Sequence, residues 1–151
     1  MKIRWQNRAF TLIEIMIVVG IIGVIMTMGV PSIIRSLRKE GMRKAVSDLT
    51  EACSAARAAA ILSATTSDMV IRPQDRTMTG GSFSASFPDN VWIQILGVNF
   101  LELQDAEEAR VHFYSNGTCD EFTIILLSTE QEARKISLEV VTGLADVEVI
   151  R

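Results

Sequence analysis

Hydrophobic and polar positions change rhythm three times along the chain. The first stretch, Phe10 to Val30, reads FTLIEIMIVVGIIGVIMTMGV and is apolar on every side, with Glu14 as its one charged residue. A helix of that length spans roughly 30 Å, the hydrocarbon thickness of a bilayer. A core helix would show a polar face, and this run shows none. The pattern therefore predicts a transmembrane helix over 10–31, preceded by a basic leader, 1–9, that carries Lys2, Arg4 and Arg8 and no acid. A cleaved secretory signal would be shorter and would end in a small-x-small site, which Gly29-Val30-Pro31-Ser32 does not supply.

From Ser32 the period becomes helical. Ile34, Leu37, Gly41, Ala45, Leu49, Ala52, Cys53, Ala56 and Ala60 recur at steps of three and four, with Arg35, Arg38, Lys39, Arg43, Asp48, Glu51 and Arg57 mostly opposite. This predicts an amphipathic extension of the same helix over 32–65. Its stripe turns to alanine between Ala52 and Ala60, which suits close approach to a sheet. A free-standing coiled coil is the weaker alternative, because alanine makes a poor seam.

After residue 66 the rhythm shortens to two, and a β domain over 66–151 is expected. Strands are read at 68–72, 91–96, 110–114, 122–127, 135–140 and 147–149. Residues 73–90 read as a long loop or ragged hairpin, and 97–109 as a loop or short helix. Asn116-Gly117 is a tight-hairpin signal, and 122–127, apolar on both faces, reads as a central strand. The fold class is α+β: a long N-terminal helix, half transmembrane and half amphipathic, packed on a small antiparallel sheet or sandwich domain.

Glu14 is the residue with chemistry. A carboxylate inside an apolar span costs about 2.5–3.5 kcal/mol on insertion scales and calls for a cationic partner. The run offers none from Ile15 to Val30. A cut before Phe10 would create an α-amino group four residues away, able to meet Glu14 in the same helix or in a neighbour.

Ala9-Phe10-Thr11-Leu12-Ile13-Glu14 resembles the processing motif of type IV prepilins and type II secretion pseudopilins, in which glycine stands where this chain has Ala9. The resemblance implies cleavage between Ala9 and Phe10 by a prepilin peptidase and N-methylation of Phe10. It also implies pairing of Glu14 with the Phe10 amine of a neighbouring subunit, and a helix-kinking role for Pro31. Further along, Val111–Thr118, an apolar strand, Arg134–Leu138 and Thr142-Gly143 are similar to the pattern of GspH/FimT-type minor pseudopilins. The two likenesses cover most of 8–72 and 110–149, leaving 73–109 unmatched. Together they imply a pilin-like fold and a minor pseudopilin of the type II secretion pseudopilus, with a minor pilin of a type IV pilus or a competence (DNA-uptake) system as the alternative.

The implied partners are other pseudopilins, the prepilin peptidase, the lipid bilayer and secreted cargo. The implied place is the inner membrane, single-pass, with the N-terminus cytoplasmic and the C-terminal domain periplasmic. Charge counting alone favours the reverse orientation, since Arg35, Arg38, Lys39, Arg43 and Lys44 follow the span against three positive charges before it.

The remaining candidates are weaker. The chain holds 151 residues with a net charge of -3, but from Ala45 onward seven basic residues face sixteen acids. Such a field repels phosphate, so no nucleic acid partner is expected. His112, the single histidine, is read as a surface strand residue without a nucleophile, and no enzyme activity is expected. Glu102, Asp105, Glu107 and Glu108 read as an acidic loop without a calcium pattern, so no metal or cofactor is expected. Cys53 and Cys119 could bridge in an oxidising compartment or remain separate buried thiols.

Overall fold

The computed structural model describes residues 11–150, with side chains described at 11–27 and 40–150. It is α+β. One helix, α1 (Leu12–Ser63), precedes nine strands: β1 (Ser67–Arg72), β2 (Thr77–Gly80), β3 (Phe83–Ser86), β4 (Val91–Val98), β5 (Leu101–Glu102), β6 (Ala109–Phe113), β7 (Phe122–Ser128), β8 (Ala133–Leu138) and β9 (Ala145–Ile150). The chain divides into two compact units, 1–37 and 38–151.

In the second unit the strands form two sheets, ordered β3-β2-β1-β6 and β5-β4-β7-β8-β9, with every pairing antiparallel. Alternation decides which side chains enter the core. Ala109, Val111 and Phe113 of β6 are buried while Arg110 and His112 turn outward, and Phe122, Ile124 and Leu126 of β7 are buried in the same rhythm. The second half of α1 lays Met42, Ala45, Leu49, Ala52, Cys53, Ala56 and Ala60 into the same core. From Ala45 onward that face is the one the periodicity predicts.

The alanine stripe does what small residues allow. The β2–β3 hairpin comes down on the helix at Gly80 and Gly81. A Cβ on Gly80 would collide with the Ala52 carbonyl and lie 2.8 Å from its carbon. One on Gly81 would lie 2.7 Å from the Ala55 carbonyl oxygen. Backbone therefore meets backbone. Arg76, left-handed at φ 56° in the β1–β2 turn, holds that end by donating Nη2–H bonds to the carbonyls of Pro88 and Val91, at 2.6 and 2.7 Å.

The connecting segments take definite forms. Residues 73–90 hold a hairpin, β2–β3, the second of the two readings. Residues 97–109 contain no helix: a two-residue turn, Asn99-Phe100, folds β4 back onto β5, with Val98 facing Leu101. The Asn116-Gly117 turn does form, with the Gly117 N–H donating to the Tyr114 carbonyl at 2.9 Å. It closes a tight hairpin, with Phe113 bridged antiparallel to Cys119 and the Tyr114 N–H donating to the Thr118 carbonyl at 2.9 Å, before the chain crosses to β7 in the other sheet. β7 is central in its sheet, but only one of its faces is fully buried; the other is half-covered.

Candidate functional site

Thr11 starts α1. Its carbonyl accepts from the N–H groups of Glu14 and Ile15 at 3.1 and 3.3 Å, and its hydroxyl accepts from the Glu14 N–H at 3.4 Å. Glu14 thus sits in the first turn, where a carboxylate suits the positive end of the helix dipole. Among the described residues it has no ion-pair partner. Around and beyond it, the large apolar side chains from Leu12 to Met26 are all exposed, between 45% and 79%. Among the described residues nothing in their own unit covers them, and twelve exposed large hydrophobics in one segment are far beyond the scattered apolar residues of an ordinary surface.

Among the described residues no helix is long and apolar enough to cross a membrane. Ala9 and Phe10, the expected processing residues, lie outside the described residues. Pro31 lies within α1, and its side chain is likewise outside them.

Of the two readings of the cysteines, the structure has the separate buried thiols. Cys53 and Cys119 are both free and buried. The Cys53 thiol lies against the Met69 sulfur at 3.3 Å, and the Cys119 thiol points to the Glu139 carbonyl at 3.7 Å, so each has a neighbour other than the second thiol. Burial first, then the charge of Cys119, push the Cys53 thiol up to about 12. Burial also raises Cys119. Burial thus favours the protonated thiol at both positions.

His112 is half-exposed as predicted, yet it has partners that the sequence did not reveal. Its Nδ1 lies 2.6 Å from Asp120 Oδ2, and its Nε2 lies 3.9 Å from Asp68 Oδ1. The His112 backbone N–H also donates to Asp120, at 3.1 Å, and the Tyr114 hydroxyl donates to the other carboxylate oxygen at 3.2 Å. Burial works to raise Asp120, but the His112 ring, the His112 N–H and Asn99 together hold its carboxyl below the ordinary value. Among the described residues, no hydroxyl or thiol nucleophile hydrogen-bonds to His112. The cluster fastens the β6–β7 connection to β1. Among the described residues no group of acids, histidines and cysteines is placed to hold a metal.

The two turn glycines of the C-terminal pattern meet in space. Gly117 and Gly143 are both left-handed, at φ 88° and 64°. A Cβ on Gly143 would lie 2.7 Å from the Gly117 carbonyl and 3.0 Å from Cδ of Arg57 on α1. A backbone bond from Cys119 N–H to the Val140 carbonyl, 3.0 Å, closes the same clasp.

The comparisons with known proteins agree with the N-terminal chemistry. Residues 6–30 match the family model of the prokaryotic N-terminal methylation motif. The chain is 25% identical over 124 residues to the type II secretion system core protein G of Pectobacterium carotovorum subsp. carotovorum, covering 75% of this chain and 77% of the relative. No solved structure matches. The N-terminal segment is a methylation signal of the type IV pilin and pseudopilin kind. The helix packed on antiparallel sheets is consistent with a pilin-like fold.

Proposed function

We propose that this chain is a pseudopilin, a structural subunit rather than an enzyme, that joins the short filament of a type II secretion machine. The observation that carries the reading is the isolation of Glu14. It is the lone charge between Phe10 and Val30, four residues from the first position left by a cut at Phe10, inside a matched methylation motif. The chain is held in the inner membrane by 10–31, with the β domain outside. The prepilin peptidase trims it after Ala9 and methylates Phe10. In lipid, Glu14 and the new amine of an adjoining subunit neutralise each other, and the relief of a desolvated charge drives assembly.

The likeness to a secretion core protein along three quarters of the chain favours a secretion pseudopilus over a type IV pilus. The clasp of Gly117, Gly143 and Arg57 supports the finer assignment to the minor, GspH/FimT-type subunits, because the glycines of that pattern do one structural job together. The partners are other pseudopilins and secreted cargo. The acidic excess of the β domain argues against DNA.

Mass spectrometry of the protein from its native membrane tests this reading. The expected first residue is N-methyl-Phe10; an intact Met1 or a cut near Val30 overturns it. Changing Glu14 to Ala should leave membrane insertion intact and remove the subunit from filaments. Unimpaired incorporation would show that the charge pair is not needed.

A further inference from the structure

The tip of the β4–β5 hairpin is anomalous. A two-residue turn of this kind needs positive φ at both central positions, which is why glycine or asparagine normally fills them. Here they are Asn99 at φ 50° and Phe100 at φ 65°. An aromatic residue in the left-handed region is strained. Phe100 is also 92% exposed, and Leu101 beside it 64%. Backbone strain and solvent-exposed aromatic surface are two separate costs at one position, with no return inside the monomer. Glu102 follows, exposed and without an ion pair among the described residues.

At the opposite edge of the same sheet lies a groove that complements this tip. Met42 and Val46 of α1 and Val147 of β9 line it, with Arg43, Ser47 and Arg134 at its rim, around a cavity of about 320 Å³. Arg134 is engaged by Glu132. Arg43 is exposed and has no ion pair among the described residues. β9 is the terminal strand of its sheet, so one of its backbone edges is open, and Val147 and Val149 remain 40% and 51% exposed. An apolar knob beside a free acid thus stands at one edge, and an apolar hole beside a free base at the other.

From this juxtaposition we infer that the Phe100 tip of one copy seats in the Met42–Val46–Val147 groove of a second copy of this chain, with Glu102 against Arg43. The occupant is a second copy because both halves are present, with opposite charges, on one molecule. Since knob and groove occupy different surfaces, the contact is heterologous and does not close on itself in a dimer. Val147 lies in the cross-strand row that runs through Leu96, Ile124 and Ile136, whereas the Phe100 tip lies past Val98, the end of β4, so successive copies are displaced along the strands. A staggered, open-ended stack is what a filament requires, and the inference rests on the filament reading to that extent.

The test is oxidative crosslinking of the full-length chain in membranes. Phe100→Cys together with Val147→Cys should give a ladder of dimers, trimers and higher multiples. Either substitution alone, and the parent with its buried thiols, should stay monomeric. Glu102→Arg in the double-cysteine background should cut ladder yield about tenfold, and adding Arg43→Glu should restore it. Phe100→Gly removes the strained side chain, so its melting temperature should equal or exceed the parent's while formaldehyde-linked oligomers vanish. No ladder, dimers from Phe100→Cys alone, products of a mass that is not a multiple of this chain, or oligomers that persist in Phe100→Gly would each overturn the inference. N-terminal mass spectrometry on the same membranes separates the two readings. N-methyl-Phe10 without a ladder removes only the stacking contact, whereas an intact Met1 removes the filament assignment.

Discussion

Replacing Gly80 by alanine drives a methyl group into the backbone of α1. The added carbon would lie 2.8 Å from the Ala52 carbonyl carbon and 3.2 Å from its Cα, against roughly 3.5–4.0 Å for an unstrained carbon contact. Helix backbone cannot rotate aside as a side chain can, so the β2–β3 hairpin must lift by at least about 0.7 Å. A radial gap of that size forfeits a quarter to a half of the dispersion well for each contact it opens. Met78, fully buried on β2, is the first to lose contacts. Overpacking of this kind costs about 1–3 kcal/mol, and we take the upper half, about 2–3, because the obstacle is main chain. For the 114 residues of 38–151 that is a fall of about 8–12 °C in melting temperature, at about 4 °C per kcal/mol. The assay is thermal unfolding of the detergent-solubilised chain followed by circular dichroism. Gly97→Ala is the internal control, since its Cβ would find nothing closer than the Thr123 carbonyl at 3.7 Å and should leave stability nearly unchanged. If Gly80→Ala melts within 1–2 °C of Gly97→Ala, on the order of 0.3–0.5 kcal/mol by the same conversion, the backbone contact does not hold the hairpin and the reasoning fails.

Further expectations concern the thiols and the His112 cluster. With Cys53 near 12 and Cys119 also raised, a thiol reagent at pH 8 should label neither in the folded chain and both after denaturation without reductant; labelling of the native chain, or no thiols in denaturant, contradicts the buried, unbridged pair. Asp120 is held below its ordinary 3.8, so its contribution to stability is full above that value and is lost as pH falls through the lower folded value. Denaturant midpoints of the parent and Asp120→Asn, measured from pH 6 to pH 2, should therefore converge in acid; a gap that stays constant with pH would show that the charge is not what the cluster uses. Asp120→Ala should cost about 1–3 kcal/mol, since it strips the acceptor from the His112 N–H, the His112 ring and the Tyr114 hydroxyl.

The helix and most strands were legible because burial enforces period. Ala45, Leu49, Ala52, Cys53, Ala56 and Ala60 can share a face only in a helix, and the alternation in 109–113 follows one side of a sheet. Residues 77–86 were obscured by serine, threonine and glycine, which also signal loops; what makes them strands is the lid they form over the alanine face, a tertiary fact. The Asn99-Phe100 turn left no trace, because phenylalanine is not a turn residue and only the pairing of Val98 with Leu101 forces it into one. The switch of sheets between β6 and β7 is invisible for a similar reason: Asn-Gly reports a reversal, not the strand that will lie alongside. At the N-terminal site the composition alone singled out Glu14, since a charge in an apolar run is conspicuous. The aspartates around His112 were not found, because Asp68 reaches it through strand register, and Asp120 through a turn whose path the sequence leaves open.

The hairpin rests on a surface that nearly repeats itself. Gly80 and Gly81 meet Ala52 and Ala55, and one helical turn further along stand Ala56 and Ala59, equally small. In the other direction stand Asp48 and Glu51, whose charges bar the way. A slip of one turn, 5.4 Å, thus finds a smooth landing on one side only. What tells the correct notch from its neighbour is not the alanines but Leu49 and Met42, whose bulk fits only the sockets they occupy. Indexing of the helix against the sheets is delegated to two large side chains at one end, so trimming either of them should loosen position before it loosens the fold.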